Sequence, residues 1–234
     1  MADAVAVAGD RAEASFTSGM RWVMWAMLVR LVASCVSHVW SSYIGSQHLF
    51  GAALRDALVV HTALRWLASL ALGAALVGLL LAASVREARR SFALAATVCG
   101  LLVLAELTFT FLMTGSLLAL ESAAGWARLL FPVAVHLEPC LDIAFLAALI
   151  WALGTRAGFR QAGWRWTTGL TAIYLMGLIL RVWMPVTQAW FKEHVWWRAG
   201  VAIATMALSG AALLWLLRRL SRPVAAAARP PSGA

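Results

Sequence analysis

Six apolar stretches fill most of this 234-residue chain, at residues 22–44, 61–85, 92–114, 131–153, 166–185 and 196–217. Each is close to the roughly 20 residues that a helix needs to cross a hydrocarbon core. With 63% of residues apolar and only short segments left over, one membrane domain and no extramembrane domain is expected. The expected fold is all-α: a polytopic integral membrane protein, a six-transmembrane-helix bundle over residues 21–220. Residues 1–20 are expected as a cytoplasmic N-terminal tail, and 221–234, rich in Pro and Ala, as a disordered cytoplasmic tail. No apolar core of a signal peptide precedes Trp22, so the first span is expected to act as its own signal anchor.

A formal charge of +9 invites a nucleic-acid reading, which the positions of the charges exclude. Twelve Lys and Arg fall in the N-terminal tail, the second and fourth loops and the C-terminal tail, against only Arg55, Arg128 and Lys192 on the other side. By the positive-inside rule both termini are cytoplasmic (N-in/C-in), in a bacterial-type cell inner membrane. The basic excess is a topology signal, with the lipid bilayer, and its anionic lipids in particular, as partner. The three cysteines, Cys35, Cys99 and Cys140, form no CxxC pair, which argues against a dithiol redox enzyme. Most of the thirteen tryptophans stand at span ends, as interfacial belts require. Gly73 and Gly78 fall inside helices, where small residues let helices pack closely.

The remaining signal is polar and one-sided. His38, His48, His61, His136 and His194 all fall near the outer ends of the spans. The second span opens His61-x3-Arg65 and the sixth His194-x3-Arg198, a spacing that stacks both side chains on one helix face. The fourth span opens with His136, Glu138, Pro139, Cys140 and Asp142. His136 and Cys140 share one face of it, and Glu138 and Asp142 nearly the opposite one. Either this span is central in the bundle or Pro139 kinks it. Glu106 lies in the outer half of the third span and Arg181 in that of the fifth. Ionisable groups at such depths are costly and face a cavity or a partner. The bland reading of the same cluster is interfacial ion pairs and snorkelling side chains.

Neutral imidazoles on facing helices are the usual axial ligands of haem, and neighbouring arginines can pair with its propionates. His61 and His136 open inward-running spans at similar depth and form the best ligand pair. The stretch Pro132-Val-Ala-Val-His136-Leu137 and the opening His61-x3-Arg65 resemble the corresponding helices of the haem A synthase family, over roughly residues 55–153. That resemblance implies a helical bundle holding haem between outer histidines. It departs from the family in having six spans rather than eight, and Val59-Val60 where an acidic residue precedes the first such histidine. A fainter likeness is to haem-handling proteins of cytochrome c maturation, which share six spans and cytoplasmic termini. Their tryptophan-rich motif is absent from the loop ending at Trp126.

The leading expectation is thus an inner-membrane haem-b-binding protein for electron transfer or haem handling near the outer face. His61 and His136 would be the iron ligands, Arg65 and Arg198 the propionate partners, and His194 a spare or second-site ligand. Glu106 would be a proton carrier beside a quinone or a membrane redox complex. The alternative is a cofactor-free accessory subunit or small transporter with an outer-half ion-pair network. A copper site is a third option, since imidazole suits that metal too.

Overall fold

The computed structural model describes residues 2–46, 51–85, 89–118, 126–183 and 194–222. Six helices account for nearly all of them: α1 Ala2–Ser46, α2 Gly51–Ala82, α3 Arg89–Leu118, α4 Trp126–Ala157, α5 Ala162–Trp183 and α6 Val195–Leu220. No strand occurs among the described residues. Five of the helices carry segments long and apolar enough to cross a membrane: Arg11–Ile44, Asp56–Ala82, Arg89–Leu112, His136–Ala157 and Ala199–Leu220. The chain is therefore an all-helical, multi-pass membrane protein. α5 is shorter and is not among the five.

Each helix packs mainly against its two neighbours in chain order, and α6 returns to α1. The six helices thus close a ring. Backbone positions of α1 come close to α2 and α6 but not to α3 or α4, so only long side chains can bridge the middle. Contacts along α1 set its direction against the others. Glu13 meets Arg156 at the end of α4, and Phe16 stacks edge-on with Phe92 at the start of α3, ring centroids 5.5 Å apart. Trp40 donates to the Ala57 carbonyl near the start of α2 at 2.7 Å. Between α4 and α5 the chain turns at Gly158, whose φ of 90° lies in the region a Cβ disfavours.

Residues 2–20, the expected cytoplasmic tail, are helical and continuous with the first span in α1, and Phe16 and Met20 are buried in the core. Two tryptophans of the expected belts turn inward: Trp40, through the bond just described, and Trp164, which donates to the Ile150 carbonyl at 2.9 Å. Trp22, Trp25, Trp166, Trp196, Trp197 and Trp215 are exposed, as an interfacial belt requires. Residue 48 and residues 223–234 lie outside the described set.

The ring is divided along its length. In the half where α1 begins and α6 ends, Phe16, Leu79, Phe92, Phe145, Leu149 and Leu217 lie within one apolar cluster, each almost fully buried. In the other half charged and polar side chains join the apolar ones on the inward faces, and there the candidate site is found.

Candidate functional site

The site begins with the guanidinium of Arg30, in the middle of α1. Its Nη2 donates to Glu106 Oε1 on α3 at 3.0 Å, and its Nη1 lies 2.9 Å from Asp142 Oδ1 on α4. Neither α3 nor α4 touches α1 through its backbone. Arg spans the gap because its planar head offers two nitrogens in different directions. Glu106 is buried, 5% exposed, and its second oxygen accepts a hydrogen bond from Ser69 Oγ at 3.1 Å. Both of its oxygens are therefore engaged. Asp142 Oδ1 is in ion contact with Arg30 but out of line, and it is a buried oxygen without a directed hydrogen bond.

One turn toward the opposite end, Arg65 of α2 donates to Glu138 Oε2 of α4 at 2.7 Å, and its guanidinium sits 4.5 Å from the centre of the Phe109 ring. Glu138 and Asp142 are four residues apart and so share a face. That face looks into the ring, while His136 and Cys140 on the other face are exposed. α4 is helical straight through Pro139, and its acidic face meets two arginines from other helices.

Both ion pairs border one cavity of about 220 Å³, whose wall includes Arg30, Arg65, Glu106, Glu138 and Asp142. Ser34, Ser37 and His38 of α1, Tyr174 of α5 and Ser209 of α6 complete its polar lining. Polar residues recur at helical spacing toward the same end of the ring. They are Arg30, Ser34 and His38 on α1; His61, Arg65 and Ser69 on α2; and Glu106, Thr110 and Thr114 on α3. Such a volume is below the roughly 300–1,000 Å³ of pockets for drug-sized ligands. It suits a few waters or a small solute.

The residues expected to bind haem are distributed differently. His61 is half-buried and turned toward α1, its Nδ1 3.2 Å from Ser37 Oγ and 3.4 Å from Ser41 Oγ. His136 is exposed on α4, two places round the ring, with α3 between. The structure does not bring the two together, and neither is in the cavity wall. Arg65, expected opposite a propionate, holds Glu138 instead. His194 is exposed at the start of α6, and the side chains of Arg198 and Arg181 lie outside the described set. Among the described residues no three His, Cys, Asp or Glu side chains gather as a metal site. Glu106, the expected proton carrier, pairs with Arg30.

Arg30 was the residue the sequence reading missed as part of the site. Its signal was the i, i+4, i+8 series Arg30, Ser34, His38, a polar stripe on an otherwise apolar span. Comparison with protein-family models, with curated proteins and with solved structures finds no match to this chain.

Proposed function

We propose that this protein is a small membrane transporter and that the cavity at Arg30, Glu106 and Asp142 is the end of its solute path. The observation that carries this reading is Arg30 reaching across the ring to acids on two other helices at the wall of a cavity. Insertion scales put an Arg or Asp at a helix centre at about 2.5–3.5 kcal/mol each. Paired, well-packed apolar helices would serve a merely structural bundle without that cost. In this reading a solute enters from the end where α1 leads into α2. The apolar half below it, from Phe16 to Leu217, is a barrier to anything charged. A charged site sealed by an apolar layer on one side is what alternating access needs in one of its states.

The path can be tested without knowing the solute. In protein freed of native thiols by Cys35→Ala, Cys99→Ala and Cys140→Ala, Ser34→Cys in the cavity wall should react with a membrane-impermeant thiol reagent applied from one side. Ala75→Cys, in the buried apolar half, should stay unreacted. Equal protection of both positions would remove the path. A Soret band in the purified protein that vanishes in His61→Ala and His136→Ala would replace this reading with the haem-b one.

Orientation belongs to the same proposal. The excess of arginine at the end carrying the chain termini supports six crossings of a bacterial-type inner membrane, with both termini cytoplasmic and the cavity mouth on the outside. A phosphatase reporter fused after Arg90 is expected to be inactive, and a fluorescent protein at the same position bright. An active phosphatase there would invert the topology.

A further inference from the structure

We infer that the start of α5 and the end of α6 form a binding site for the headgroup of an anionic phospholipid, made by Arg160, Arg165, Arg218, Arg219 and Arg222. The inference goes beyond the transport reading and needs only a chain that lies in a membrane. The positive-inside rule asks that basic residues lie at one end of the spans. It does not ask that they gather on one helix pair.

On α6 and just past its end, Trp215, Arg218, Arg219 and Arg222 follow at i, i+3, i+4 and i+7 and so form one helical stripe. All four are exposed, whereas Leu213, Leu216 and Leu217 are buried. α5 runs antiparallel beside this helix. Thr167 Oγ1 donates to the Ala212 carbonyl at 3.2 Å, and Trp215 lies against Gly163, where an added Cβ would run into the indole ring. That register brings Arg160, in the turn before α5, level with Arg218 and Arg219. Arg165 is exposed in the first turn of α5.

The platform is shaped for its task. Gly163 lets the Trp215 ring lie on α5, and the Arg219 guanidinium sits 5.9 Å from the centre of that ring, within cation–π range. Trp166, three residues on from Gly163, is 73% exposed, and such indoles take the headgroup depth of a bilayer. Neither α5, nor the turn before it, nor α6 holds an Asp or Glu. Arg156, at the end of α4, has Glu13 as its partner. Among the described residues no carboxylate pairs with the five arginines.

A lipid phosphodiester supplies the missing anion, and its oxygens accept from guanidinium forks. Basic sites between helix ends take anionic headgroups in this way. The acyl chains run along the exposed apolar faces of the same two helices, at Ile173 and Leu208. α5 is the helix not among the five long apolar spans. A headgroup bound across both helices ties its start to the end of α6.

The test is native mass spectrometry of the whole protein in mild detergent, titrated with phosphatidylglycerol and, separately, with phosphatidylcholine. The expected result is a first phosphatidylglycerol bound more tightly than phosphatidylcholine. Arg160→Gln/Arg219→Gln should weaken it by roughly 25-fold, about fivefold for each arginine. Arg89→Gln/Arg90→Gln makes the same charge change at the start of α3, on the other side of the ring, and should leave it nearly unchanged. Equal losses in the two double variants, or equal binding of the two lipids, overturn the site and leave a diffuse basic surface. Displacement of the lipid by an equal concentration of inorganic phosphate also overturns it, since the site would then take a free anion. Should Arg160→Gln/Arg219→Gln fail to assemble, wild-type protein photolabelled with a headgroup-reactive phosphatidylglycerol decides. Label is expected within residues 159–166 and 215–222, and label found only elsewhere overturns the assignment.

Discussion

Arg30→Ala is expected to be the most damaging single change at the cavity, lowering stability by about 3–5 kcal/mol, the range for breaking a buried pair by deleting one partner. The loss comes less from the missing attraction than from what stays behind. Glu106, 5% exposed, keeps Ser69 as a donor but loses its cation, and Asp142 loses the guanidinium that contacts it directly. Arg30→Lys should recover part of the loss. A lysine ammonium is a compact point charge and cannot direct separate nitrogens at two carboxyls on different helices. Neutralising the acids as well, in Arg30→Ala/Glu106→Gln/Asp142→Asn, should bring stability back toward wild type, because no buried charge is then orphaned. Unfolding curves of the four proteins in mixed detergent check this. An Arg30→Ala protein that unfolds at the wild-type midpoint would mean the guanidinium is not engaged as described.

The helical, membrane-spanning character of the chain was legible in the lengths of its apolar runs, because the bilayer fixes that length independently of any contact. The polar half of the bundle was legible too: Glu106, Glu138, Asp142 and Arg65 were all singled out, and all border the cavity. What the sequence could not supply was the direction in which a two-faced helix is turned. On α4, His136 and Cys140 form one stripe and Glu138 and Asp142 another, and spacing treats them alike. The choice is made by Arg30 and Arg65 on other helices, which draw the acidic face inward. The haem expectation chose the histidine stripe. Arg30 had no visible partner in its own segment because Glu106 is 76 positions away along the chain. Gly73 and Gly78 show the same limit, since both read as close-packing glycines and only Gly78 is one.

Gly78→Ala is expected to push α1 and α2 apart and to cost toward the upper end of the roughly 1–3 kcal/mol typical of overpacking. A Cβ at position 78 would stand 2.6 Å from the Gly19 carbonyl oxygen and 2.9 Å from the Val23 nitrogen. A Cβ at Gly19 would in turn run into the Gly78 carbonyl oxygen. These obstacles are backbone atoms, which cannot rotate out of the way as a side-chain tip can, so the helix axes themselves must move. Gly73 is the internal control, five residues earlier on the same helix with nothing within 4 Å of a Cβ. Gly73→Ala should be neutral or stabilising by up to about 1 kcal/mol, the ordinary helix preference of Ala over Gly. Opposite signs at two glycines of one helix are hard to produce by a change in propensity or expression, so the pair isolates the packing effect. Equal stability of the two variants would contradict the close approach of α1 to α2. The displacement should also be felt at the site. Arg30 lies about three turns along α1 from Gly19, and its two contacts depend on where α1 stands in the ring. Gly78→Ala is therefore expected to weaken the bridge to Glu106 and Asp142 and to change the reactivity of Ser34→Cys in the thiol assay, while Gly73→Ala leaves that reactivity as it was.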